Sequence, residues 1–247
     1  MKVAAFIPAR LDSRRFPGKL LKDLGGKPVI IRTWQSATQT GLFDEIYIVT
    51  DSPEIAGVCE EEGAKVLISR KNHFTGTDRI AEFAGKTLAD IIINIQGDEP
   101  FIRKEPLEKI IEEFSRDNDK KIDIISLMQP IETEEEFLSP DNVKVVVDKD
   151  NFAMYFSRSP IPYHRDISFS KAWKHIGIYA FRKNILEKIA TLPHTDLEKL
   201  EKLENLRFLQ YGLRIKMLPV KSGFIGIDTP EDLKKARKMY NHARNKA

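Results

Sequence analysis

Short apolar runs alternate with amphipathic segments through the first half of this 247-residue chain. The runs at 3–7, 45–50, 65–68 and 91–95 read as strands, and the last is almost wholly apolar, as a central parallel strand covered on both faces should be. Between them the pattern predicts helices. One takes Pro28 at its first position and runs to about Thr40. A second is capped at Asp51-Ser52, carries Pro53 in its first turn, runs to about Glu62 and stops at Gly63. Thr77 is the expected cap of a third, reaching about Lys86. A fourth covers 104–116 and leads into a strand at 123–128. Strand and helix in alternation mark a parallel sheet with right-handed crossovers.

The rhythm then changes. Strand-like runs at 143–147, 153–156 and 175–181 follow with few helices between them, which predicts an antiparallel or mixed extension of the sheet. Thr195-Asp196-Leu197-Glu198 is a capping box, and Leu197, Leu200, Leu203 and Leu206 recur on one face of the helix it should open. A strand at 214–218 precedes Thr229-Pro230-Glu231-Asp232, a second capping signature, and a basic final helix whose 234–246 face reads as solvated.

Composition narrows the classes of function. Forty cations against 37 acids leave a formal charge of +3, too balanced for nucleic-acid binding by bulk charge, so any anion must be held by a local cluster. The lone Cys59 rules out an intramolecular disulfide framework and reads as a small buried hydrophobe in a reducing compartment. The chain opens on a strand without a signal-peptide pattern, and no apolar run approaches the roughly 20 residues that span a bilayer. These features predict a cytoplasmic protein with neither nucleic acid nor membrane as partner. No repeat and no Pro/Gly/Ser-rich linker divides the chain.

The first candidate for chemistry follows the opening strand, where Arg10, Arg14, Arg15 and Lys19 fall within ten residues with Asp12 as the one acid. A solvated basic turn is the bland reading of such a run. Its place at the carboxyl end of a strand, and the stiffness lent by Pro8 and Pro17, favour a phosphate cradle. Neither a Walker loop nor Gly-x-Gly-x-x-Gly is present. Asp98, at the carboxyl end of the 91–95 run, is a candidate Mg²⁺ ligand beside a polyphosphate. Gly97 to Pro100 read equally well as a plain turn, and Glu99 as a salt-bridge partner. Asp228 is left spare once Thr229 and Asp232 cap the last helix. The histidines, at 73, 164, 175, 194 and 242, lack zinc-ligand spacing. His175 and Tyr179 should share one strand face, as packing or as a hydrogen-bonding pocket.

These residues fall in motifs that resemble a known family. Ile7-Pro-Ala-Arg-x-x-Ser-x-Arg-x-Pro-Gly-Lys19, Val49-Thr-Asp51, Gly76-Thr-x-Arg79, Asn94-x-Gln-Gly-Asp-Glu-Pro100, Tyr155-Phe-Ser-Arg158, His175-x-Gly-Ile-Tyr179, Leu203-Glu204 and Asp228-Thr-Pro-Glu-Asp232 resemble, in order and over nearly the whole chain, the 3-deoxy-manno-octulosonate (Kdo) cytidylyltransferases. The resemblance implies an α/β, Rossmann-like GT-A nucleotidyltransferase sheet, mainly parallel, with a smaller mixed or antiparallel extension. It implies one domain over 1–247, within which 143–215 binds substrate and forms a homodimer. The reaction implied is CMP transfer from CTP to Kdo with Mg²⁺, a step of lipopolysaccharide biosynthesis.

Carried over residue by residue, Arg10, Ser13, Arg15 and Lys19 would contact the triphosphate, with Pro8 and Ala9 beside them. The Arg70 to Arg79 loop, with Arg70, His73, Thr75 and Gly76 in it, and Gln96 would help hold the cytidine. Asp98 and Asp228 would bind Mg²⁺ and, with Arg10 and Lys19, carry the catalysis. Arg158, His175, Tyr179, Glu204 and Asn205 would surround the sugar acid. Three positions depart from the family pattern: Arg14 where Thr is common, Asp78 where Glu is usual, and Asn205 where Gln is frequent. Two rivals remain in view, a cytidylyltransferase for another sugar acid of the sialic-acid type and a nucleotide-binding regulator without catalysis. The missing glycine fingerprint disfavours a nicotinamide-dependent oxidoreductase.

Overall fold

The computed structural model describes residues 1–13, 15–165, 169–221 and 226–244; Arg14 and the last three residues of the basic tail lie outside them. The elements run β1 (Val3–Ala9), α1 (Val29–Gln39), β2 (Glu45–Thr50), α2 (Pro53–Glu61), β3 (Lys65–Ile68), α3 (Gly76–Ala81), β4 (Ile91–Asn94), α4 (Lys104–Arg116), β5 (Ile124–Ile131), α5 (Glu134–Leu138), β6 (Lys144–Val147), β7 (Ala153–Ser157), β8 (Ala172–Arg182), α6 (Lys183–Ile189), α7 (Asp196–Glu201), α8 (Glu204–Gln210), β9 (Ile215–Pro219) and α9 (Pro230–Arg244). They form two compact units, one from the first 104 residues with α9, the other from Glu105 to β9.

The first unit is the parallel α/β half. β1 pairs with β2 and β4, and β2 with β3, all parallel. Every residue of β4 is buried, as its apolar composition requires. Val29, Ile30, Ile31 and Ala37 form the buried face of α1, and Ile55, Ala56 and Cys59 that of α2. Burial pushes the Cys59 thiol up to about 12, with the Glu60 carboxylate adding to the effect, so the group is an inert hydrophobe. Ser52 caps α2 by accepting the Ile55 amide at 3.3 Å.

Two caps differ from expectation. Pro28 stands one position earlier, as the N-cap of α1 with extended backbone. Thr75, not Thr77, caps α3, accepting the Asp78 amide at 3.1 Å. Thr77 is instead fully buried, within 3.5 Å of the Asn94 carboxamide. The helix therefore starts two residues early and gives way to a separate 3₁₀ turn at Ala84–Lys86.

The second unit is mixed. β5 pairs antiparallel with β8 and parallel with β9, while β6 pairs antiparallel with β7 and β8. The anticipated leucine-striped helix is two short helices, α7 and α8, separated where Lys202 turns left-handed at φ 55. Leu203 and Leu206 are buried, but Leu200 is 78% exposed, because the break rotates it off the common face.

One polar anchor in this unit has a measurable consequence. Asp117 accepts the Ile122 and Lys121 amides, each at 2.9 Å, and pairs with Arg182 at 2.7 Å. Burial acts to raise its pKa, but these donors outweigh it and hold the carboxyl below the ordinary 3.8. A depressed carboxylate contributes stability above its unfolded pKa and loses it as pH falls through the folded value. Asp117→Ala should therefore cost about 3 kcal/mol at pH 7, a difference that fades below pH 3.8, as urea melts across that range would read.

Candidate active site

The carboxyl ends of β1 and β4 carry the chemistry of the first unit. Leaving β1, the basic loop is pinned by its own backbone: the Gly18 amide donates to the Leu11 carbonyl at 3.3 Å and Lys19 to Phe16 at 3.2 Å. Gly18 adopts φ 64, open to glycine without strain, and starts the short turn Lys19–Leu21 whose Leu20 is buried. At the end of β4, the Ile227 amide donates to the Asp98 carbonyl at 2.9 Å, which brings Asp228 up to Asp98. Asp232 accepts from the Thr229 and Asp228 amides and so leaves the Asp228 carboxylate unused by the cap.

Lys19 joins the two acids. Its ammonium is in close contact with Asp98 Oδ2 and lies 2.9 Å from Asp228 Oδ1, while Arg15 Nη2 lies 3.0 Å from Asp228 Oδ2. Burial works against the Lys19 charge, yet Asp98 and Asp228 together leave its pKa raised. Asp228 is likewise held low by Lys19 and Arg15 against the opposing effect of burial. Next in the chain, Glu99 is half-buried with its Oε2 shielded from solvent and without a hydrogen-bond partner, and desolvation with the charges of Asp98 and Asp228 pushes it up to about 8. Desolvation and the two neighbouring carboxylates thus favour its neutral form when no cation is bound.

Gly97 packs closely against the end of β1. A Cβ there would meet the Pro8 carbonyl oxygen at 2.9 Å and Ile30 Cδ1 at 3.2 Å. Gly97→Ala should cost about 1–3 kcal/mol through the forced backbone shift. A thermal midpoint equal to the parent's would contradict that close approach.

A pocket of about 140 Å³ opens at the same strand ends, lined by Pro8, Ala9, Arg10, the 73–76 loop, Arg79 and Gln96. Its loop is braced on both sides, by Thr75 capping α3 and by His73 Nε2, 2.9 Å from the Glu82 carboxylate and 3.0 Å from Ser69 Oγ. Arg79 is fixed by two 2.8 Å contacts to Asp51. Of the residues assigned to the nucleotide, Pro8, Ala9, Arg10, His73, Thr75, Gly76 and Gln96 thus meet at one pocket. Arg15, Lys19 and Asp98 meet at the acid cluster, whereas Arg70 and Ser13 are at neither. Phe74, 83% exposed on the pocket rim, and Arg79 belong to the loop expected to hold the cytidine, whereas Asp51, the partner of Arg79, carries no role in the sequence reading. The motif Val49-Thr-Asp51 is the one trace of Asp51 in the sequence.

In the second unit, a β-bulge gathers part of the expected acceptor set. Residues four apart in a regular strand stand about 13 Å apart, yet the His175 and Tyr179 rings have centroids 5.2 Å apart. The register shift at Ser126/Leu127 lies opposite this segment. Burial drives His175 down to about 3, so its imidazole is neutral and serves as a hydrogen-bonding group, with Nε2 at 2.9 Å from Ser126 Oγ. Tyr179 is held well above the ordinary phenol range by burial and the Glu204 carboxylate, with Asn205 acting in the opposite sense. The pairing that sequence left between packing and pocket is thus a buried polar cluster around Tyr179. Arg158 is held separately, its Nε donating to the Glu201 carbonyl at 2.8 Å and its Nη1 to the Pro140 carbonyl at 2.9 Å.

A basic loop and two carboxylates thus stand at the strand ends of a parallel α/β unit, where ligands of such sheets bind. A family model described as cytidylyltransferase matches residues 4–215. A 3-deoxy-manno-octulosonate cytidylyltransferase of Flavobacterium johnsoniae is 52% identical over 240 residues, covering 97% of this chain and 98% of its own. Its counterpart in Christiangramia forsetii is 50% identical over 239 residues, covering 96% of each. A solved structure of CMP:2-keto-3-deoxy-manno-octonic acid synthetase with CTP superposes with a TM-score of 0.91 at 38% identity, over 98% of this chain and all of that one. The chain belongs to the 3-deoxy-manno-octulosonate cytidylyltransferase family.

Proposed function

We propose that the protein transfers CMP from CTP to the anomeric hydroxyl of Kdo, releasing pyrophosphate and activating the sugar for lipopolysaccharide biosynthesis. The observation that carries this reading is the Lys19–Asp98–Asp228 cluster at the strand ends that also hold the pocket, in a chain of this family. One bond forms, from the anomeric oxygen to the α-phosphorus, and one breaks, between that phosphorus and the bridging oxygen to the β-phosphate. The hydroxyl proton is lost to solvent.

The pocket residues hold the cytidine, and Arg10, Ser13, Arg15 and Lys19 engage the triphosphate, so that positive charge stands where the leaving pyrophosphate gains negative charge. The donor set suits Mg²⁺, which takes one or two carboxylates and completes its shell with water and phosphate oxygens. Asp98 and Asp228 would hold it. Bound there, Mg²⁺ supplies charge neutralisation between two anionic substrates and lowers the pKa of the hydroxyl. In the second unit, Arg158 offers a cation to the acceptor's carboxylate, while neutral His175, Tyr179, Glu204 and Asn205 offer hydrogen bonds to its hydroxyls. The protein works as a cytoplasmic homodimer through its 143–215 segment.

Pyrophosphate release with CTP, Kdo and Mg²⁺ tests the reading. Turnover should vanish with EDTA, return with added Mg²⁺, and fall when UTP replaces CTP. Faster turnover of sialic acid than of Kdo would move the protein to the sialic-acid type. Nucleotide binding without any product would make it a regulator.

A further inference from the structure

We propose that Lys19 is a placeholder for the metal: its ammonium holds Asp98 and Asp228 together before substrate arrives, excludes a divalent cation from the empty protein, and swings to the triphosphate when nucleotide binds. The inference rests on the metal and triphosphate roles proposed above. Its starting point is that three of the four carboxylate oxygens of the pair already hold a cation, Asp98 Oδ2 and Asp228 Oδ1 meeting Lys19 and Asp228 Oδ2 meeting Arg15. Both cations come from the loop assigned to the triphosphate. With two of its three donors committed to the acids, the Lys19 ammonium has one left for a phosphate.

Space enforces the exchange. Mg²⁺ binds carboxylate oxygens at about 2.0–2.1 Å, and an ammonium within hydrogen-bonding reach of the same two oxygens occupies the region between them. A divalent ion arriving alone must therefore displace Lys19 against two ion pairs with no new partner for its charge. A polyphosphate changes the balance by offering Lys19 and Arg15 oxygens of their own. The backbone has no need to move: Leu20 is buried and the Gly18 and Lys19 amides are bonded within the loop, so the change is a rotation of the four-carbon stem. Nucleotide and metal then bind with a positive coupling that exceeds what direct phosphate ligation provides, and the coupling is reciprocal. The metal is admitted with the substrate rather than before it.

Mn²⁺ binding, followed by electron paramagnetic resonance with and without a non-hydrolysable CTP analogue, tests this independently of turnover. Without nucleotide, Lys19→Met should bind Mn²⁺ at least about tenfold more tightly than wild type, equivalent to about 1.4 kcal/mol. Lys19→Arg, which keeps the charge, should stay as weak as wild type. The enhancement by the nucleotide analogue should shrink by the same factor in Lys19→Met. Equal Mn²⁺ affinity of wild type and Lys19→Met in the absence of nucleotide overturns the proposal. Should Lys19→Met lose its far-ultraviolet circular dichroism, Lys19→Gln, which removes the charge with a polar side chain, replaces it, and an unchanged Mn²⁺ affinity in that variant overturns the proposal equally. If wild type with the analogue binds no Mn²⁺ at all, the metal assignment itself fails and the placeholder with it. Active wild type with no difference between variants removes the placeholder alone.

Discussion

Exchanging Asp98 for asparagine is expected to lower kcat for pyrophosphate release by about 10³-fold while the protein still folds. The substitution is nearly isosteric, and the carboxamide oxygen can still accept from Lys19. What it removes is one of the two charges proposed to hold Mg²⁺ at the point where the two anionic substrates meet. The main-chain bond from Ile227 to the Asp98 carbonyl is untouched, so Asp228 keeps its place. The effect should therefore be a change in turnover and in the Mg²⁺ concentration needed, with little change in thermal midpoint. Turnover within about threefold of wild type would remove Asp98 from the catalytic centre.

Lys19→Ala should lower kcat by about 10²–10³-fold and leave the KM for Kdo close to wild type. In the proposed reaction the ammonium offsets charge on the leaving pyrophosphate, an interaction that strengthens as the bond breaks. In the resting protein the same group bridges and neutralises Asp98 and Asp228, so its loss leaves two uncompensated carboxylates close together and the thermal midpoint should fall. Added Mg²⁺ should recover that stability without recovering turnover. Stability and catalysis thus part in one variant, with melting curves reading the first and pyrophosphate release the second. Wild-type turnover in Lys19→Ala would end the assignment of the basic loop to the leaving group.

Much of the local architecture was legible because it depends on neighbours in the chain. Periods of two and 3.6 residues gave β2, β3 and α4 their observed bounds. Where two local signals competed, tertiary packing chose between them: Thr75 and Thr77 are both credible caps, and burial of Thr77 beside Asn94 left the role to Thr75. The leucine period at 197–206 pointed to one helix because it carries no sign of the left-handed turn at Lys202.

The chemistry was legible by residue type and the geometry was not. Residue identity alone determined that a strand-end loop carries cations, that acids follow the most apolar strand and precede the last helix, and that the ordered motifs mark a Kdo cytidylyltransferase relative, because composition and order are properties of the chain. Tertiary structure decided that Lys19 meets Asp98 and Asp228 across separations of 79 and 209 residues, that a bulge folds His175 against Tyr179, and that two acids and desolvation raise the Glu99 pKa. Each of these depends on distance and desolvation between segments that only the sheet brings together, and no one-dimensional pattern encodes either quantity.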